Sequence, residues 1–165
     1  MTIDEFVAQV ERKRAPAPLE ELQRFEALIG YVLPDDYRHF LIQCNGGYIG
    51  GRYGFQGKNP DAQWVEAGVQ EVGGLRDDGS YSLFDRLKTY QGRIPRALIW
   101  VHDDPFGNAI CLGLEGLHRG KVYFWDRENQ PGSTWDGSVE SADNVTLIAN
   151  SFTEYVAGLA RLHSD

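Results

Sequence analysis

Ala97-Leu98-Ile99-Trp100-Val101, Ala109-Ile110-Cys111-Leu112-Gly113-Leu114 and Lys121-Val122-Tyr123-Phe124-Trp125 are the three runs from which the fold can be read. Between them stand Asp103-Asp104-Pro105-Phe106-Gly107-Asn108 and the segment from Glu115 to Gly120. Apolar runs of strand length, separated by short turns rich in Asp, Pro and Gly, read as an antiparallel meander. Alternation puts Ile110, Leu112 and Leu114 on one face of the middle strand and Ala109, Cys111 and Gly113 on the other. The small residues on that second face leave room for a packed helix or for a ligand, and the helix is the favoured reading.

Working outward, the flanks are helical. Thr2 and Glu5 have capping-box spacing ahead of Ile3, Phe6, Val7 and Val10, in a helix that Pro16 and Pro18 would end. Leu22, Phe25, Leu28 and Ile29 form a second apolar stripe that stops at Gly30. Pro34 opens a third helix at its first position, with Asp35 and Asp36 in the first turn and Tyr37, Phe40, Leu41 and Cys44 on its buried face. The Gly-rich stretch from Gly46 to Gly57 reads as an irregular strand and turn, and Trp64 to Val72 as another strand. Ser80 is placed to cap a helix carrying Leu83, Phe84, Leu87 and Tyr90. After a polar loop from Asp126 to Asp143 come a strand, Val145 to Ala149, and a helix opened by Ser151 and Glu154 that carries Phe152, Tyr155, Val156 and Leu159. The class is α+β: an antiparallel or mixed meander flanked by N-terminal helices and a C-terminal helix, in one domain over residues 1–165.

Charge narrows the partners. The net charge of −8 opposes phosphate backbones and anionic lipids. The densest basic cluster is Arg12-Lys13-Arg14, too small to reverse that. Nucleic acid and membrane are therefore not expected as partners; a protein is. Two cysteines without a framework of spacings, Cys44 and Cys111, suit core packing in a reducing compartment. Met1 to Phe6 is too polar for a signal peptide, so a cytoplasmic location is expected.

Motifs for chemistry fail in detail. Gly57-Lys58 is followed by Asn59, not Ser or Thr, and the residue five before Gly57 is Arg52, so no phosphate loop is formed. None of His39, His102, His118 and His163 is paired with another His or Cys at metal-ligand spacing, and no metal or cofactor is expected. His102-Asp103-Asp104 is better read as turn chemistry than as a metal site. Paired carboxylates could do acid–base work, with Asp77, Asp78, Asp85, Asp103, Asp104, Asp126 and Asp136 as candidates. What remains is aromatic and acidic surface. If Val122 and Phe124 face the core, Tyr123 and Trp125 approach the surface or a second packed layer. Trp135 and Asp136 sit in the polar loop. Asp103, Asp104, Tyr123, Trp125, Asp126, Trp135 and Asp136 are thus the candidate partner-binding residues, by the composition of binding hot spots.

Leu33-Pro34-Asp35-Asp36-Tyr37, Phe40-Leu41 and Asn45-Gly46-Gly47 resemble the SUKH superfamily in its Smi/Knr-type branch. Further blocks follow in that family's order: Arg93-Ile94-Pro95, Asp103-Asp104, Gly107-Asn108-Ala109-Ile110-Cys111-Leu112, Gly120 to Asp126, and Ala149-Asn150-Ser151-Phe152. Pro105-Phe106 departs from it, since a Gly-rich turn is more usual there. The resemblance implies an α+β fold without catalytic residues, in which Pro34, Gly46, Gly47, Gly107, Asn108 and Trp125 are structural. It also implies that single-domain bacterial members are immunity proteins, which bind and neutralise toxins, often nucleases or deaminases, delivered between cells. An immunity protein acting by direct binding is the leading expectation; a regulatory scaffold or adaptor and a carboxylate-based hydrolase are the alternatives.

Overall fold

The computed structural model describes residues 1–77, 79 and 81–162. Among them, seven strands form one sheet in the order β6-β5-β4-β3-β2-β1-β7, each neighbouring pair antiparallel. The strands are β1 (Gly47–Lys58), β2 (Trp64–Val72), β3 (Leu98–Asp103), β4 (Ala109–Gly113), β5 (Val122–Trp125), β6 (Val145–Ala149) and β7 (Leu159–Arg161). The helices are α1 (Ile3–Gln9), α2 (Leu19–Ile29), α3 (Asp35–Gln43), α4 (Leu83–Tyr90) and α5 (Phe152–Ala157). The expected meander is β3-β4-β5, and the α+β class is what the sequence indicated.

β3 is the middle strand, and all six of its residues are buried. A strand covered on both faces reads as a continuous apolar run because neither face selects for polarity. One face is covered by α1, α3 and α5, whose Phe6, Phe40, Phe152 and Tyr155 surround the His102 ring at centroid distances of 5.8, 5.8, 5.9 and 5.8 Å. The other face carries Trp100 and Trp125 against α4. The register slips between Trp100, which opposes Cys111, and His102, which opposes Ile110, so Val101 is a one-residue bulge. The bulge sends His102 to one layer while Trp100 and Asp103, three residues apart, face the other.

Local chemistry explains most element ends. The capping box of α1 is present in both directions, Glu5 N to Thr2 Oγ1 at 3.2 Å and Thr2 N to Glu5 Oε2 at 2.7 Å. α1 ends at Gln9, well before Pro16, because the chain turns extended and Glu11 exchanges two backbone hydrogen bonds with Tyr48. Pro34 is the N-cap of α3, so the helix begins at Asp35, one residue later than expected. Ser82 caps α4, its Oγ accepting from Asp85 N at 3.2 Å, whereas Ser80 lies outside the described residues. The Gly-rich stretch is strand β1, broken by an irregularity between Tyr48 and Tyr53. α5 is shorter than the sequence suggested, and Leu159 belongs to β7, which pairs with β1. Among the described residues no helix is long and apolar enough to cross a membrane. The small face of β4 is used for close packing: a β-carbon at Gly113 would collide with the carbonyl oxygen of His118.

Burial without a charged partner drives the His102 imidazole down from its ordinary 6.5 to about 3. Between those values the unfolded chain binds a proton that the folded chain does not, so His102 contributes stability above 6.5 that is lost as pH falls. In urea titrations between pH 3.5 and 7, His102→Phe should show a shallower loss of stability toward acid than the parent. The difference should approach about 1.4 kcal/mol per pH unit. Identical slopes would mean that the ring protonates freely in the folded protein.

Candidate partner-binding surface

Asp103 ends β3 and Asp104 follows it, and neither is on the surface. Asp103 is 9 % exposed and turns toward α4. Its Oδ1 accepts from Trp100 Nε1 at 2.6 Å and from the Tyr90 hydroxyl at 3.2 Å. Its Oδ2 lies 2.9 Å from Arg86 Nη2, and the same nitrogen lies 2.9 Å from Glu71 Oε2 on β2. The Arg86 guanidinium also sits 4.8 Å from the centroid of a Trp100 ring. Burial pushes the Asp103 and Glu71 carboxyls up, against the pull of Arg86. Two carboxylates sharing one guanidinium tie α4 to β2 and β3. A cleft of about 190 Å³ lies alongside, lined by Arg86, Leu87, Tyr90, Pro95, Arg96 and Trp100, and neither carboxylate lines it. Asp103 is engaged as an acceptor for structure.

Asp104 does a different job one residue later. Its Oδ1 accepts from Phe106 N at 2.8 Å and Asn108 N at 2.7 Å, and its Oδ2 from Asn108 Nδ2 at 2.8 Å. This is a side chain standing in for backbone acceptors across a tight turn. Gly107 completes it in the left-handed region at φ 82°. Asn108 Oδ1 accepts from Arg127 N at 3.1 Å, which joins this hairpin tip to the start of the polar loop.

Tyr123 and Trp125 also belong to the interior, which corrects their expected place at a partner interface. Trp125 is 0 % exposed, edge-on to Tyr90 at 5.6 Å and under the Arg93 guanidinium. Tyr123 is buried, its hydroxyl 2.8 Å from His118 Nδ1 and pushed up to about 12, chiefly by desolvation. The physical reason is that both faces of the sheet are covered, so the face opposite Val122 is a second core. Phe124, the supposed core residue, is the more open of the set.

Asp126, Trp135 and Asp136 reach the surface. Asp126 is half-buried and accepts from Glu128 N at 2.8 Å and Asn129 Nδ2 at 2.6 Å, which lowers its carboxyl. Trp135 is half-buried, with Nε1 donating to Ser138 O at 3.0 Å. Exposed Asp136 accepts from Ser141 Oγ at 2.6 Å and Ser138 N at 2.9 Å, and these bonds hold it at about 2. With Pro131, Thr134, Ser141 and Asp143, the last two line a polar depression of about 310 Å³. Among the described residues no group of three or more His, Cys, Asp or Glu is arranged to hold a metal ion.

The SMI1 / KNR4 family (SUKH-1) matches residues 16–158 of the chain, a span that contains every element from α2 to α5. The chain belongs to this family. It is also similar to the SPbeta prophage-derived uncharacterized protein YokK of Bacillus subtilis (strain 168), 30% identical over 175 residues, covering 95% of this chain and 82% of the relative. The family blocks that resembled structural signatures fall at junctions: Pro34 ahead of α3, Gly46 between α3 and β1 with Gly47 opening β1, and Gly107 and Asn108 at the β3–β4 tip.

The sequence reading passed over two exposed aromatics. Phe106 is 79 % exposed at the β3–β4 tip and Trp64 is 68 % exposed at the start of β2. A signal for Trp64 was there: Val65, Ala67 and Val69 alternate with it and claim the core face. Phe106 was hidden inside a turn motif read only for its Asp, Pro and Gly.

Replacing Arg86 by Met leaves Glu71 and Asp103 facing each other with little water. Breaking such a pair costs on the order of 3 kcal/mol. Urea denaturation at neutral pH should show that loss, and it should shrink as acid protonates the two carboxyls. A loss that grew toward acid would contradict the shared-guanidinium arrangement.

Proposed function

We propose that this chain is an immunity protein that binds a cognate toxin, passed between bacterial cells, and blocks it by covering its active site or the adjacent surface. Membership of the SMI1 / KNR4 family (SUKH-1) carries this reading. The prophage origin of the Bacillus relative is in keeping with it. Neutralisation of this kind needs no bond-making step, only a stable surface that competes with substrate.

Charge supports the choice of toxin. A chain of net −8 is drawn to a basic partner, and nucleases carry basic surfaces to bind phosphate backbones. Carboxylates on the immunity protein then take the place of phosphates. Long-range attraction of that sort acts mainly on the encounter rate.

Two measurements test this. Co-expression with the products of the genes flanking this one should reveal a toxin whose growth arrest this chain relieves, and absence of rescue would remove the immunity reading. The association rate of the purified pair should fall about tenfold or more between low and high salt. A salt-independent rate would remove the electrostatic part and leave the binding part standing.

A further inference from the structure

Trp64 and Phe106 project from one outward face. In the β1–β2 ladder Lys58 opposes Trp64, Gln56 opposes Glu66 and Gly54 opposes Gly68, and directly opposed residues share a face. Residues two apart along a strand also share a face, so Trp64, Glu66 and Gly68 stand together. The other face, with Phe55, Val65, Ala67 and Val69, is buried, and Phe55 abuts Gly158 after α5. The β3–β4 tip lies across the outward face. A β-carbon built on Gly68 would stand 2.9 Å from Cδ of Pro105, and one on Gly51 would stand 2.9 Å from its Cγ. Pro105 is therefore seated on the glycines, and Phe106 follows it into solvent. Four residues of strand, about 13 Å, separate Gly68 from Trp64.

The tip is held in place before any partner arrives. The Asp104 carboxylate fixes Phe106 N and Asn108 N, Gly107 N donates to Asp104 O at 3.2 Å, and Arg127 Nη1 donates to Phe106 O at 3.4 Å. Little conformational entropy remains to be lost at Phe106 on binding, which favours affinity. Large aromatics exposed on a rigid frame have the composition and geometry of interface hot spots. The charges around them select the occupant. Asp61 in the β1–β2 turn, Glu66 between the aromatics, and Asp126 and Glu128 beside the tip outnumber Lys58 and Arg127. A second copy of the chain would bring this acidic surface against itself, at an electrostatic cost. A basic protein surface with apolar recesses suits it.

We propose that the outward face of the β1–β2 hairpin, with Trp64, Glu66 and Phe106, is where the chain docks on a basic protein surface that offers apolar recesses. The proposal rests on the immunity reading and names the surface that would take the toxin. Leu117 supplies a control: it is 84 % exposed in the β4–β5 turn, at the far end of the meander from Phe106.

The experiment measures dissociation constants against a catalytically inactive form of the toxin whose growth arrest this chain relieves on co-expression, for the parent, Trp64→Ser, Phe106→Ser and Leu117→Ser. Thermal midpoints are taken alongside and should agree within a few degrees, since surface changes of this kind are close to neutral. Trp64→Ser and Phe106→Ser should each weaken binding about 30-fold, the loss of a hot spot. Leu117→Ser should change it less than about threefold. Parental binding with Trp64 and Phe106 variants at the parent's affinity overturns this surface and leaves the immunity reading intact. Parental protein that does not bind the toxin overturns both. A parental dimer that Phe106→Ser converts to monomer in sedimentation assigns the face to a second copy and also overturns the proposal.

Discussion

One extra residue in the middle strand organises the rest. Without the bulge at Val101, Trp100 and Asp103 would point to opposite layers. With it, both meet α4, and His102 alone enters the aromatic box made by α1, α3 and α5. The central strand thereby carries an ionisable group into each of two cores. The imidazole is kept neutral by burial. The carboxylate is kept tolerable by Arg86, Trp100 and Tyr90. Each solution recruits a different helix layer, which is why the sheet is closed on both sides along β3.

The next residue in the chain converts that interior order into surface order. Asp103 is spent on the core and Asp104 on the turn, so the hairpin that leaves β3 is stiff from its first residue. Pro105 rests on Gly51 and Gly68 of the β1–β2 hairpin, where side chains would have kept it away. Gly51, in the Gly-rich stretch that fails as a phosphate loop, and Gly68 of β2 are thus a seat for a neighbouring turn. The polar loop is built in the same manner, with Asp126, Asp136 and Asn144 tying backbone and side chains together. The acids most prominent in sequence are largely occupied in holding loops, and the aromatics least prominent there are the ones on display.

Much of the architecture was legible because its signals are local. Capping residues at Thr2 and Ser151, the stop at Gly30 and the three apolar runs of the meander all act within a few positions. Alternation left Tyr123 and Trp125 between the surface and a second packed layer, because it says that two faces exist but not how many layers cover them; the structure puts both in the second layer. Asp103 was misplaced because Asp-Asp-Pro is good turn chemistry, and what pulls the first Asp into the strand comes from α4 and β2, remote in sequence. α1 stops early for the same kind of reason: Tyr48, far along the chain, offers Glu11 a pair of hydrogen bonds. Leu159 kept the helical spacing yet pairs with β1, an outcome set by the free edge of that strand. The candidate surface was legible only in part, since Asp126, Trp135 and Asp136 are accessible while Trp64 and Phe106 needed the sheet to be seen together.

The claim at the centre is that this fold acts through an outer surface while its interior stays unchanged. Amide hydrogen exchange of the chain, free and with a toxin whose growth arrest it relieves, tests it most directly. Slowed exchange confined to the segments 58–66, 104–108 and 126–129, with β3 and the helices exchanging as before, is the expected result. Protection concentrated along the cleft between α4 and β3, at residues 86–100, would contradict it and point instead to chemistry or ligand binding in the interior.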